Sequence, residues 1–216
     1  MYEYVKKSEY APVRKELEKI IKRAQTEMRE MYGLTFQFQL IGSGRRHLVT
    51  RICGGNRGYD FDYNLIIPHP GNGYYYKADI IKQHFMVALK NALRGTQYTF
   101  PKDSTSAITI KVVDKYNKKI RYSCDFAIIY YENCEENYGY YYLRNNKKRN
   151  IYEFAFRPLN SDIEEKVEDI CAEDNGWNYI REEYIKLKNI NEGKDKHSFS
   201  LYIEAVNNVY NQIFYQ

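Results

Sequence analysis

The stretch that decides the fold is GGNRGYDFDYNLIIP, Gly54 to Pro68, in which two aspartates one residue apart interrupt an otherwise apolar strand pattern. Alternate side chains of a strand share a face, so Asp60, Asp62 and Asn64 point one way, while Phe61, Tyr63, Leu65 and Ile67 point into packing. Burying ionised carboxylates is expensive unless a cation, a proton or open water meets them. Two carboxylates this close repel by a few kcal/mol at an effective dielectric of about 20, and a bound divalent ion turns that repulsion into attraction.

Working outward, FQLIGSGRRHL precedes this strand and RYSCDFAII follows it. The first reads as a strand, then Gly42, Ser43 and Gly44, then Arg45 and Arg46. Its flexible backbone can offer N–H donors to a phosphate, with guanidinium groups nearby. In the second, Asp125 has the opposite facing to Cys124, Phe126 and Ile128, an acid in an apolar strand centre. If the two strands are neighbours, three carboxylates converge. That is an oxygen-donor set for one or two magnesium ions about 3.5 to 4 Å apart.

The flanking sequence alternates helix and strand signals. SEYAPVRKELEKIIKRAQTEMREM, Ser8 to Met31, opens with a capping serine and an early proline and carries apolar residues at three and four spacing, which predicts a helix stopped by Gly33. LTFQFQLIG then alternates as a strand. The prolines and glycines of PHPGNG end the DFDYNLII strand. A second helix is expected over Ala78 to Leu93, with Ile80, Ile81, Phe85, Ala88, Leu89 and Ala92 on one face. AITIKVVD and KIRYSCDFAIIYYE flank the turn KYNKK as an antiparallel hairpin, and YYYLRNNKKRNIYEFAF repeats the design.

Beyond Pro158 the pattern is helical. Ser161 and Glu164 form a capping box, WNYIREEYIKLK follows, and the last helix places Phe199, Ile203, Val206, Tyr210 and Ile213 on one side. NINEGKDKHS is expected to be the most mobile internal loop. The expected architecture is α+β: residues 1–158 form a core with a mixed, largely antiparallel sheet and flanking helices, and residues 159–216 form a C-terminal helical cap.

Composition excludes more than it selects. The 216 residues are 44% hydrophobic, enough for a sizeable core. No apolar run approaches a bilayer span and the N-terminal residues lack the apolar stretch of a secretory signal, so a cytoplasmic protein with no membrane partner is expected. Cys53, Cys124, Cys134 and Cys171 form no metal-ligand spacing and are expected to be reduced. A net charge of +5 permits nucleotide or nucleic-acid binding without demanding it. The 24 tyrosines could stack bases, but half-buried sheet faces account for them better. The four histidines form no readable triad or metal box.

With Ile41, Gly42, Ser43, Asp60, Asp62 and Asp125 in this order, the chain resembles the DNA polymerase β-like nucleotidyltransferase superfamily, over roughly residues 34 to 131. Its helical tail is similar to, though much shorter than, that of the branch containing oligoadenylate synthetases and bacterial cyclic-oligonucleotide synthases. The sixteen residues between Ser43 and Asp60 make a longer spacer than is common, and RICGGNRG within it is expected to form a small excursion over the nucleotide.

The resemblance implies transfer of a nucleoside monophosphate from a nucleoside triphosphate, ATP above all, to a hydroxyl, with release of pyrophosphate. Two Mg2+ or Mn2+ ions would be held by Asp60, Asp62 and Asp125, and Asp125 could take the hydroxyl's proton. Gly42 and Ser43 would bind the terminal phosphates, Arg45, Arg46 and Arg51 could neutralise them, and Asn64 could touch the nucleotide. Arg181, Lys186 and Lys188 lie where the resemblance allows a lysine to reach the triphosphate, although a solvated helix face is the stronger reading. The acceptor expected is a nucleotide or RNA, with the basic turn 145–150 as a candidate RNA contact. The rival is a non-catalytic module of the same fold that binds nucleic acid or a protein partner.

Overall fold

A computed structural model describes residues 1–71, 73–132, 139–146, 148–149, 151–159, 162–191 and 196–215. Cys134, Ser161 with its capping box, Lys147 and Asn150 of the basic turn, and residues 192–195 of the loop expected to be mobile lie outside them. In chain order the elements begin with β1 (Tyr2–Tyr4), α1 (Lys7–Tyr32), β2 (Gln37–Ile41), α2 (Gly42–Arg45), β3 (Thr50–Ile52) and β4 (Tyr59–Ile66). There follow α3 (Ala78–Ala92), β5 (Lys102–Asp103), β6 (Ile108–Asp114), β7 (Lys119–Tyr131), β8 (Gly139–Asn146) and β9 (Ile151–Pro158). The last three helices are α4 (Asp162–Ala172), α5 (Gly176–Ile190) and α6 (Ser198–Phe214).

The chain divides into two compact units. The larger, Val5–Val49 with Gly55–Leu159, is built on a sheet that among the described residues has seven strands. β2 and β7 flank β4, β6 and β5 continue from β7, and β8 and β9 extend its far end. β4 and β7 pair in parallel and the remaining pairs are antiparallel, so the sheet is mixed. The parallel pair is possible because α3 and the β5–β6 hairpin carry the chain across between them.

Phe61, Tyr63 and Leu65 of β4 and Phe126 of β7 are fully buried on one face, with Leu17, Ile21 and Met28 of α1 and Phe85 and Leu89 of α3. Each such side chain contributes roughly 1.5–3 kcal/mol relative to exposure. The period-two pattern of β4 thus gives one face to the core and leaves the other for polar groups. On α3 the sequence placed Ile80 in the buried stripe, but it is exposed, and Lys82 is buried instead. Its Nζ bonds Asp103 Oδ1 at 2.9 Å and the Ala107 carbonyl at 3.0 Å, which satisfies the charge. Ser8 is not the cap of α1: Lys6 is, so Ser8 lies within the first turn and Pro12 inside the helix.

The smaller unit comprises Met1–Tyr4, Thr50–Gly54 and the chain from Asn160. α4, α5 and α6 pack together, and β1 pairs antiparallel with β3. The segment expected to form an excursion, RICGGNRG, begins instead in β3, its Arg51 and Ile52 pairing with β1. Lys188 of α5 is buried, bonding Thr50 Oγ1 (3.0 Å) and Ser198 Oγ (3.2 Å), and lies 4.5 Å above the Tyr2 ring. On α6 the buried residues are Leu201, Tyr202, Ala205, Val206 and Val209, whereas Phe199 is 55% exposed. Among the described residues no helix is long and apolar enough to cross a membrane.

Candidate active site

β4 and β7 align Asp62 with Asp125, Asp60 with Ser123 and Asn64 with Ala127. Paired residues of adjacent strands share a face, so these side chains lie on the side of the sheet opposite the apolar core. Asp62 and Asp125 line one cleft of about 210 Å3, together with Asn64, Ser106, Tyr142 and Arg157. Burial, and after it the negative charges of Asp125 and Asp60, pushes the Asp62 carboxyl up to about 7. Burial also raises Asp125, against the Thr109 hydroxyl, which donates to its Oδ1 and favours the ionised form.

Asp60 takes a different position. It is exposed at the mouth of the strand, and its Oδ1 accepts a hydrogen bond from Ser123 Oγ. Among the described residues no three His, Cys, Asp or Glu side chains are grouped so as to hold a metal. The arrangement nonetheless fits a divalent cation at Asp62 and Asp125: two adjacent, largely buried carboxylates, one of them pushed up by its like-charged neighbours, form a hard-oxygen donor pair whose repulsion a cation relieves. Asp60 is near enough for its charge to act on both Asp62 and Asp125, and its Oδ2 is not used by the Ser123 bond.

The glycine loop closes on the same carboxylates. Gly42 has φ +61°, and a Cβ there would stand 2.8 Å from Asp62 Oδ2, so the turn that begins α2 passes directly over Asp62. Both facts require glycine. Gly44 packs against Leu40 and Phe61, where an added Cβ would meet each at 3.0 Å, so the third small residue of the loop serves close packing. Ser43 begins the first turn of α2, its carbonyl accepting from the Leu48 N–H at 2.9 Å. Arg45 is exposed, and Arg46 turns back to donate from Nη1 to the Gly42 carbonyl at 3.3 Å. His47, at φ +56°, receives the Tyr10 hydroxyl at 3.0 Å on Nδ1 and anchors the end of the loop to α1.

The remaining sequence candidates lie in the smaller unit. Lys186 is on an exposed face of α5, 2.9 Å from Glu183. Arg51 pairs with Glu3 at 2.7 Å, and the Arg181 guanidinium sits 4.3 Å above the Tyr4 ring. Cys124 lies on the buried face of β7, where burial and then Asp62, Asp125 and Asp60 push its thiol up, so it is a packing residue.

Sequence reasoning missed Ser123, Thr109 and Arg157. The i, i+2 spacing of Ser123 and Asp125 was a usable signal for the first. Thr109 is the register partner of Asp125 on β6, and Ser104 Oγ holds its hydroxyl at 3.0 Å. Arg157 comes from β9, two strands away from β7. Its guanidinium lies 4.6 Å above the Tyr142 ring, with Nη1 3.4 Å from the Tyr140 hydroxyl. The four elements that build this face, β4, β6, β7 and the β8–β9 hairpin, come together only through the sheet order.

No family model and no curated protein sequence matches the chain. Solved structures do. The Vibrio cholerae cyclic AMP-GMP synthase DncV in complex with nonhydrolyzable GTP is 16% identical over 86% of this chain and 48% of its own, with a TM-score of 0.56. CdnG, a CD-NTase of Bradyrhizobium diazoefficiens in complex with GTP, is 15% identical over 77% of this chain and 43% of its own, at a TM-score of 0.51. CdnC of E. coli MS115-1 with ATP is 12% identical over 95% and 62%, at 0.55. The chain spans about half the length of the structures it matches. Sheet order and these likenesses agree: the fold of this chain is the one seen in DncV, CdnG and CdnC.

Proposed function

We propose that this chain is a divalent-metal-dependent nucleotidyltransferase acting in the cytoplasm, with a catalytic core within residues 1–158 and a helical subdomain over 159–216 to which Met1–Tyr4 and Thr50–Gly54 also belong. An acceptor hydroxyl oxygen bonds to the α-phosphorus of a nucleoside triphosphate, ATP in the first instance. The bond from that phosphorus to the α–β bridging oxygen breaks, and pyrophosphate leaves. The observation that carries the reading is the alignment of Asp62 with Asp125 beneath the Gly42 turn.

Asp60, Asp62 and Asp125 would hold the metal, two ions of Mg2+ or Mn2+. When bound, the ions neutralise charge on the triphosphate and acidify the attacking hydroxyl. Asp125 also serves as the base that accepts the hydroxyl's proton. Backbone N–H groups of Gly42 and Ser43 receive the terminal phosphates, with Arg45 and Arg46 beside them. Asn64 and Arg157 line the nucleotide's cleft. DncV is a cyclic AMP-GMP synthase, which favours a hydroxyl of a second nucleotide as acceptor, with RNA as the alternative.

The exposed position of Asp60 on Ser123 favours a second reading, a non-catalytic module that binds nucleic acid or protein. Incubation of wild type, Asp62→Ala and Asp125→Ala with each labelled nucleoside triphosphate, Mg2+ or Mn2+ and a panel of acceptors separates the two. A transferase gives metal-dependent product, seen by mass spectrometry, that both variants lose. A binding module gives no product and a metal-independent ATP affinity equal in all three proteins.

A further inference from the structure

The larger cleft of the catalytic unit is not the one that holds the aspartates. It has a volume of about 510 Å3, within the range of ligand sites, and lies on the opposite face of the sheet. Tyr130, Tyr141 and Phe154, from β7, β8 and β9, form its floor. Tyr130 and Tyr141 stack with centroids 5.0 Å apart, and Phe154 tilts against Tyr130 at 5.1 Å. The rim is Tyr74, Tyr75 and Tyr76, the first two 73% and 88% exposed. Large aromatic side chains this exposed beside an aromatic floor are unusual on a surface with no partner.

Its charges have one sign. Glu132 lines it, and among the described lining residues there is no lysine or arginine. Glu153 of β9 also lines it, but its side chain shares the opposite face of the sheet with Arg157 and is paired there with Arg144 at 2.6 Å. Glu132 faces His69 Nε2 at 3.7 Å, and the Gly71 N–H donates to His69 Nδ1 at 3.0 Å, which puts the neutral ring's hydrogen towards Glu132. The Tyr130 phenol is pushed up to about 12 by burial first, then by Tyr141, Glu132, Tyr75 and Tyr76, in keeping with a negative potential inside. A phosphate would meet the Glu132 carboxylate and ring faces there, with no lysine or arginine among the described lining residues. A delocalised or alkylated cation would meet π faces that attract it and a carboxylate to receive its N–H groups.

From this geometry we propose that the aromatic cleft between the Tyr74, Tyr75 and Tyr76 rim and the floor of Tyr130, Tyr141 and Phe154 is a binding site for an organic cation, a guanidinium or alkylammonium group. Such a group comes either on a basic side chain of a peptide or on a free polyamine. The site is separate from the nucleotide cleft and does not depend on catalysis there.

Isothermal titration calorimetry of the full chain with N-acetyl-arginine amide, spermidine, N-acetyl-citrulline amide and adenosine tests it. At least one of the two cations should bind saturably at one site, and the tighter of them identifies the source. Citrulline, the neutral isostere of arginine, should bind about tenfold more weakly than arginine. Tyr75→Ala, at a position too exposed to affect folding, and Glu132→Gln should each weaken the cation severalfold, while Asp62→Asn on the other face should leave it unchanged. Equal binding of citrulline and arginine, cation binding indifferent to both cleft variants, tighter binding of adenosine than of either cation, or no saturable binding would each overturn the assignment.

Discussion

Gly42 is glycine for two independent reasons, its positive φ and the Asp62 carboxylate where a Cβ would go. Gly42→Ala should therefore cost about 1–2 kcal/mol in denaturant unfolding and should also displace Asp62, lowering ATP binding. A change in stability with ATP binding intact would mean that the close approach does not matter to the site. Thr109 acts through a single hydroxyl. Thr109→Val removes the donor that favours ionised Asp125, so the Asp125 carboxyl should rise further and the acid limb of a pH–activity profile should move to higher pH. At this scale the D-x-D spacing and the parity of Asp125 were legible, because strand periodicity is a local property. The Ser123 and Thr109 contacts were not, because each joins residues of different strands and depends on register.

Among the elements, α6 best separates pattern from packing. It is apolar on more than one side, so the sequence admits several stripes, and the one at 199, 203, 206, 210 and 213 shares only Val206 with the face that is buried. Leu201→Ala should destabilise by about 2–4 kcal/mol, and Phe199→Ala by no more than about 0.5 kcal/mol; chemical denaturation of both would reveal any other ordering. The helix α1 and both hairpins were legible from long periodic segments and polar turns. The pairing of β1 with β3 was not, since two three-residue strands some fifty positions apart carry too little pattern to announce each other. Nor does periodicity foresee Lys82, whose burial depends on Asp103 and the Ala107 carbonyl.

For the molecule as a whole, the acids link stability to pH. Asp62 holds its proton up to about 7 when folded and releases it near 4 when unfolded. The metal-free protein should accordingly lose stability as pH rises from about 4 to about 7. Thermal unfolding across that range should show the decline, and Asp62→Asn should flatten it. Above pH 7, added Mg2+ should raise the melting temperature of wild type by more than that of the variant. A variant as steep as wild type would place the linkage elsewhere in the chain.

The parallel pairing of β4 and β7 sets Asp60 against Ser123, 63 residues further along the chain. During synthesis, the segment bearing the first two acids leaves the ribosome well before the strand that supplies the third acid and the Ser123 hydroxyl. A nascent chain at that stage would own only part of the proposed cation site, along an unclosed strand edge. Selective capture of an ion can begin only after β7 has zipped into place, so ion affinity would serve as a late reporter of folding.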